Sequence, residues 1–170
     1  MAIATTTTSN LLESGKAALD LARRQTLRLA QDIPPDKLCH QPVPNANHAL
    51  WVLGHLAVSD DYFQSQLGGR KPVLDESWNK LFATGSKPTS NRSAYPKLDE
   101  VKAGMERSRK ALLDWLGSLD DRKLMSPMPA NWTEFAPTFA ALAGTVAWHE
   151  GLHAGQLSVV RRSLGLPPTM

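Results

Sequence analysis

Four segments with helical periodicity constrain the fold of this chain most strongly. In each of them, apolar residues recur every three or four positions, and proline or glycine closes the first, second and fourth segments. This spacing places the apolar residues on one face of an α-helix, and that face must be buried against other elements. We predict helices over about 11–31, 47–67, 97–119 and 137–164, and no segment has a convincing strand pattern. The sequence therefore predicts an all-α fold, a four-helix bundle with one or two long connections.

Capping residues refine these boundaries. Ser9 or Asn10 can cap the first helix, and Asn47 can cap the second. The glycines at 68–69 stop the second helix, and Pro137 fits the first turn of the fourth. The ends predicted from these residues agree with the ends of the apolar periodicity.

The connection over 68–96 is unusually long for a compact domain. It is rich in Gly, Pro, Ser and Asn, with a possible short helix near 78–82. Connections of this length usually serve a purpose, and in a bundle this one can cross one end and form the wall of a pocket, together with the loop over 120–136. No internal repeat or domain linker is visible. We expect a single domain over residues 1–170, with its core at about 10–168.

Composition excludes several classes of protein. The 170 residues are 42% hydrophobic, which suits one domain with one core. The net charge is +3 without a basic run, so a nucleic-acid partner is not expected. The one cysteine, Cys39, excludes an intrachain disulfide and a thiolate-rich zinc site. No signal pattern and no apolar stretch of about 20 residues is present, so we expect a cytoplasmic protein without a membrane partner.

Two histidines on the fourth predicted helix have the spacing of metal ligands. His149 and His153 are separated by about 40° around the helix axis and about 6 Å along it, so both imidazoles can reach one ion. They share a stripe with Leu142, Val146 and Val160, which places them on the apparent core face. A single inward histidine is more often a hydrogen-bonded core residue. A pair at this spacing favours metal ligation.

The run 149–153 also matches the H-E-x-x-H pattern of zinc proteases, in which the glutamate activates water. Glu150 is therefore a candidate catalytic residue. Such proteases take a third ligand downstream, yet residues 154–170 contain no Asp, Glu, His or Cys, and Gln156 is a weak ligand. The strand edge that holds their peptide substrate is not predicted either. For Glu150 we favour a place at the surface or beside a ligand histidine over a catalytic role.

The third ligand is expected from the second predicted helix. His55 is the histidine in the middle of 50–58, a segment that is apolar nearly all round and therefore expected to be buried. An unpaired polar group there would cost free energy, and metal ligation would satisfy it. His48, at the start of the same helix, is expected to be exposed or to cap it. His40 lies in a loop between prolines and is expected to be solvated.

Three residues that follow His55 have simpler interpretations. Asp60 and Asp61 lie more than a turn beyond His55 and are expected at the surface. Tyr62 lies two turns along on the His55 face and is expected to line a pocket there.

The chain resembles the DinB-like superfamily of bacterial helical bundles. The resemblance rests on the runs 51–56 (WVLGHL), 148–157 (WHEGLHAGQL) and 161–167 (RRSLGLP), and it extends over about residues 10–168. It implies a four-helix bundle in which His55, His149 and His153 hold one divalent transition metal, zinc or nickel. Family members with a known activity include thiol-dependent S-transferases and a maleylpyruvate isomerase, and many members have no assigned reaction.

Two kinds of function follow from these residues together with the resemblance. In the first, three neutral imidazoles leave positions on the metal open, and the metal activates a thiol for transfer to an electrophilic carbon or, alternatively, water for hydrolysis. In the second, the bundle is a metal-binding module of a stress response without turnover. The expected partners are a small-molecule substrate and a low-molecular-weight thiol, and a homodimer is plausible. A pocket above the metal would favour the enzyme, and a fourth protein ligand would favour the module.

Overall fold

The computed structural model of the chain describes residues 10–169, and within this range the protein is all-α without a strand. The helices are α1 (Glu13–Ala30), α2 (Ala49–Gly68), α3 (Ser77–Phe82), α4 (Leu98–Leu116), α5 (Asp121–Met125) and α6 (Phe139–Ser163). The four long helices correspond to the four predicted segments, which confirms the all-α prediction. Helix α3 corresponds to the expected short helix, whereas the five-residue α5 was not expected.

The start of α2 differs from the prediction in its cap. The N-cap is His48 rather than Asn47, because the Nδ1 atom of His48 accepts a hydrogen bond from the backbone N–H of Trp51 at 3.0 Å. Of the two alternatives for His48, the cap is confirmed, and exposure is wrong because its side chain is fully buried. The helix ends as expected at Gly68, and its C-cap is Gly69, whose φ of 62° is a left-handed conformation that glycine adopts without strain.

The other predicted caps are also displaced by a few residues. Asn10 lies in a short 3-10 turn ahead of α1, whose N-cap is Leu12, without a capping hydrogen bond from its side chain. Ser9 lies outside the described residues. Pro137 precedes α6 instead of occupying its first turn, because the hydroxyl of Thr138 caps that helix. Caps depend on local hydrogen bonds that periodicity alone does not reveal.

The long helices pack mainly as two pairs, α1 with α6 and α2 with α4, and α2 also contacts α6. Helix α3 lies close against this core because two glycines provide the space for it. A Cβ atom at Gly54 would overlap the ring of Phe82, and a Cβ atom at Gly104 would overlap the ring of Trp78. Within residues 10–169, no helix combines the length and apolar character needed to cross a membrane.

The apolar core consists of two clusters with a layer of charge between them. One cluster includes Ala30, Val58, Met105 and Leu157, and the other includes residues such as Leu19. Each long helix contributes to both clusters and, between its two contributions, carries one charged residue that belongs to this layer. These residues are Arg23 of α1, Asp60 of α2, Arg109 of α4 and Glu150 of α6.

The four charged residues form a closed ion-pair network. Arg23 contacts Glu150 at 2.7 Å and Asp60 at 3.1 Å, and Arg109 contacts Glu150 at 2.6 Å and Asp60 at 2.8 Å. The guanidinium groups also donate to two backbone carbonyls, those of Leu19 and Met105. The two positive charges balance the two negative charges, so the network has no net charge, and it joins all four long helices.

The surface position expected for Asp60 is therefore wrong, and so is the surface alternative for Glu150. Asp60 is 1% exposed and Glu150 is 0% exposed. Burial raises the pKa of Glu150, but Arg23 and Arg109 outweigh this effect and hold the pKa below its ordinary value. For Arg109, burial lowers the pKa, and the carboxylates of Asp60 and Glu150 outweigh burial and raise it. Glu150 and Arg109 are thus charged near neutral pH.

The buried cap of α2 predicts a pH-dependent stability. Burial lowers the pKa of His48 from an ordinary 6.5 to about 4. Between these values the unfolded chain binds a proton that the folded chain does not, so stability is lost as the pH falls from 6.5 towards 4. In metal-free protein, His48→Asn keeps a side chain that can cap the helix. On acidification, the free energy of unfolding of this variant should fall by about 2 kcal/mol less than that of the wild type. Urea unfolding at several pH values measures this difference, and equal losses would contradict it.

Candidate metal centre

The three histidines predicted as ligands lie together where α2 and α6 face each other. His55 comes from α2, and His149 and His153 lie one turn apart on α6. The Nε2 atom of His149 is 3.4 Å from that of His55 and 3.2 Å from that of His153. His55 and His153 are buried and His149 is half-buried. The structure therefore brings together the residues that the sequence singled out.

Hydrogen bonds to the outer ring nitrogens orient two of the three imidazoles. The Nδ1 atom of His55 is 2.8 Å from the backbone carbonyl oxygen of Phe82, and the Nδ1 atom of His153 is 3.0 Å from Oε1 of Gln156. Both oxygens are acceptors, so each Nδ1 carries the proton and donates it. The Nε2 lone pairs of His55 and His153 are then free to point at a common centre.

Burial also favours the neutral form that a metal ligand needs. Burial, together with the neighbouring His55, lowers the pKa of His149 and of His153 to about 4. Burial likewise lowers the pKa of His55 below its ordinary value. The ring of Trp51 stacks on that of His55 at a centroid distance of 4.7 Å and an angle of 8°. Near neutral pH, the group therefore offers three uncharged imidazoles.

The geometry fits a single small divalent ion. Nitrogen ligands about 2.0–2.1 Å from a tetrahedral ion are about 3.3 Å from one another. The two Nε2 separations of 3.2 and 3.4 Å bracket this value, and all three candidate ligand atoms lie within 4.8 Å of one another. Within residues 10–169, no Asp, Glu or Cys joins this group. The three histidines could thus hold a metal ion and leave at least one coordination position for another ligand.

A cavity of about 650 Å³ opens onto the histidine group. His55 and His149 form part of its wall, and Tyr62 lines it as expected. Both long connections contribute to it, for example through Leu74 and Trp132. This volume lies within the range of small-molecule sites. The cavity has the position expected for a substrate pocket.

Asp61 fixes one wall of the cavity, and its expected place at the surface is wrong. The side chain is 6% exposed. Its carboxylate accepts hydrogen bonds from the backbone N–H groups of Val73 and Leu74 at 2.9 and 3.0 Å and from the side chain of Gln64 at 2.8 Å. Asp61 therefore fastens the connection after α2 to the helix that carries His55.

Glu150 is next to His149 in sequence but makes its contacts elsewhere. Its carboxylate oxygens bind Arg23 and Arg109 in the charged layer, at 2.6–2.7 Å for the two shortest contacts. It does not line the cavity. This arrangement differs from that of an H-E-x-x-H protease, whose glutamate must approach water on the metal.

Sequence reasoning missed the residues that orient the ligands. The sequence indicates Gln156 only as a weak ligand, but in the structure it is the hydrogen-bond partner of His153, and the side chain of Asn47 in turn donates to Gln156 at 3.1 Å. The three-residue spacing from His153 to Gln156 is a signal that could have indicated this contact. No sequence signal indicates the carbonyl of Phe82, because its position depends on how α3 packs.

Comparisons with known proteins agree with this fold. The model of the DinB superfamily matches residues 18–157. The crystal structure of a conserved protein from Enterococcus faecalis has a similar fold, with a TM-score of 0.70 and 18% sequence identity over 96% of this chain and 99% of that chain. A comparison with curated proteins gave no match. Since the family model covers most of its length, this chain belongs to the DinB superfamily.

Proposed function

We propose that this protein is a metal-dependent enzyme that transfers a low-molecular-weight thiol to a small electrophilic substrate. The observation that carries the proposal is the cavity of about 650 Å³ beside a three-histidine group without a fourth ligand from the described residues. A purely structural metal site has a complete set of protein ligands and needs no cavity. The pocket therefore favours catalysis over a metal-binding module without turnover.

We propose that His55, His149 and His153 hold one divalent transition metal, with zinc or nickel as the preferred ions. Neutral imidazoles suit these ions, and no thiolate or carboxylate joins the group within residues 10–169. His55 and His153 are oriented by Phe82 and Gln156, so these two ligands are already arranged for one centre.

The proposed reaction needs a deprotonated thiol beside an electrophile. A divalent metal held by neutral ligands supplies this by lowering the pKa of a thiol that binds it. In the transfer, the thiol proton goes to solvent, the sulfur forms a bond to carbon, and the leaving group departs with its bonding electrons. The protein aligns the two reactants in the cavity, and the hydroxyl of Ser59, 3.5 Å from Nε2 of His55, lies where it can orient the sulfur.

A hydrolase is less well supported by the same cavity. Hydrolysis is helped by a base that takes a proton from the attacking water. Glu150 is engaged with two arginines, and both oxygens of Asp61, the carboxylate that lines the cavity, accept N–H groups. Thiol transfer does not require such a base, which is why we prefer it.

Thiol binding at the site is the direct test of the proposal. Protein loaded with Co²⁺ should develop a sulfur-to-cobalt charge-transfer absorption on addition of 2-mercaptoethanol, because the open position accepts the sulfur. The protein should also accelerate the reaction of this thiol with a small electrophile such as 1-chloro-2,4-dinitrobenzene above its rate in buffer.

Two outcomes would contradict the proposal. A stoichiometric cobalt protein without the absorption would mean that the position is closed to thiols. An absorption without any acceleration, with a panel of thiols and electrophiles, would favour the metal-binding module. The matched control is His153→Ala, which should show neither the absorption nor the acceleration.

A further inference from the structure

The cavity beside the histidines has an aromatic wall that no metal chemistry requires. Tyr62 and Phe63 of α2 meet Trp132 and Phe135 of the connection before α6, and all four line the cavity. Phe63 and Phe135 are stacked at a centroid distance of 5.1 Å, and Trp132 lies 5.8 Å from both Tyr62 and Phe63. Rings from two separate segments thus form one continuous surface, which we call the aromatic wall.

Part of this wall is accessible to a ligand. Tyr62 is 48% exposed, and Trp132 and Phe135 are half-buried, whereas Phe63 behind them is buried. Aromatic surface in contact with water is a source of binding free energy for another apolar group, and ring pairs gain further from edge-to-face or offset contacts. The wall is therefore suited to a flat, apolar group.

The charges around the cavity disfavour an anionic ligand body. None of the described residues that line it is a lysine or arginine. Its carboxylate, Asp61, is held by backbone N–H groups and repels other anions. Cationic side chains lie instead along the groove between α1 and α4, which includes Arg28 and Lys102. A carboxylate or phosphate on the ligand would lose part of its hydration in the cavity without forming an ion pair with a cationic side chain.

We infer that the cavity takes a molecule with one metal-binding head and an uncharged, aromatic body that packs against the aromatic wall. The inference rests on the proposed thiol chemistry and names the class of reactant that the site selects. The metal supplies the positive charge for the head, and the uncharged side chains Ser59 and Asn79, which also line the cavity, suit neutral polar groups on the body.

Three thiols with the same sulfur head test this selectivity. Cobalt-loaded protein is titrated with ethanethiol, benzyl mercaptan and 4-(mercaptomethyl)benzoate, and the charge-transfer absorption reports binding. Benzyl mercaptan should bind at least about ten-fold more tightly than ethanethiol, because its ring buries apolar surface. The added carboxylate should weaken binding at least about ten-fold relative to benzyl mercaptan.

A matched pair of tryptophan variants locates the ring site. Trp132→Ala should weaken the binding of benzyl mercaptan about five- to ten-fold and leave the affinity for ethanethiol unchanged. Unchanged ethanethiol binding also shows that the variant is folded and loaded with cobalt. Trp148→Ala is the control, because Trp148 lies on α6 beside His149 but is 60% exposed and does not line the cavity. It should leave both thiols unchanged.

The outcomes separate this inference from the proposed function. Similar affinities for the three thiols, or equal effects of the two tryptophan variants, would overturn the inference while thiol binding stands. Absence of the absorption even with ethanethiol would overturn the proposed function and the inference with it.

Discussion

Replacing His153 by alanine should reduce the bound metal from about one ion per chain to nearly none. The change removes one of the three proposed ligands, and we expect that the remaining pair, His55 and His149, cannot hold an ion against exchange with buffer. Loss of a residue that only orients a ligand already costs about 10–100-fold in metal affinity, so loss of a ligand should cost at least about 100-fold. Elemental analysis of untagged protein after dialysis measures the occupancy.

His40→Ala is the matched control for this loss. His40 is a half-buried histidine whose Nε2 contacts the hydroxyl of Ser163 at 3.0 Å, and it does not belong to the three-histidine group. Its variant should retain full occupancy. Full occupancy in His153→Ala would refute the assignment of the ligands, since the other two histidines would then suffice.

The sequence predicted the position of the three histidines because helix geometry fixes it. His149 and His153 lie on one face at a four-residue spacing whatever surrounds the helix. His55 required a second argument, the cost of an unpaired polar group in an apolar helix. The structure places all three together, while their role as ligands stays a prediction until metal is measured.

The charged layer could not be predicted in the same way. A lone carboxylate in a helical pattern is usually solvated, and this expectation placed Asp60 at the surface and made the surface one of two alternatives for Glu150. Each is buried because it meets Arg23 and Arg109, which belong to other helices and are 37 to 127 residues away in sequence. Such pairs depend on how the helices are arranged, and the periodicity of one helix does not indicate its ion pairs with others.

The contacts that orient the ligands depend on packing as well. The sequence indicated that the connection over 68–96 forms a pocket wall, but the carbonyl of Phe82 reaches His55 only because Gly54 lets α3 approach α2. The sequence contains both residues, but it does not indicate that Gly54 packs against the ring of Phe82. Close approach is a property of two surfaces, and a single helical pattern describes only one of them.

Glu150→Gln should lower the free energy of unfolding by about 3–5 kcal/mol. The substitution keeps the shape of the side chain and removes one of the two negative charges in the layer. Arg23 and Arg109 then share only Asp60, and a buried positive charge is left without compensation. Urea unfolding followed by far-ultraviolet circular dichroism measures the change. Metal content should stay near that of the wild type where the variant is folded, because Glu150 contacts none of the three histidines through its carboxylate.

Asp114→Asn is the matched control, since Asp114 forms a pair with Lys110 at 2.6 Å on the exposed side of α4. Loss of such an i, i+4 surface pair should cost no more than about 0.5 kcal/mol. A similar small cost for Glu150→Gln would mean that the layer does not stabilise the bundle.

The Glu150→Gln variant also separates the two metalloenzyme mechanisms, thiol transfer and hydrolysis. If its folded, metal-loaded form lost nearly all activity, Glu150 would have to act on the reacting atoms, and the thiol mechanism, in which it only joins helices, would be wrong.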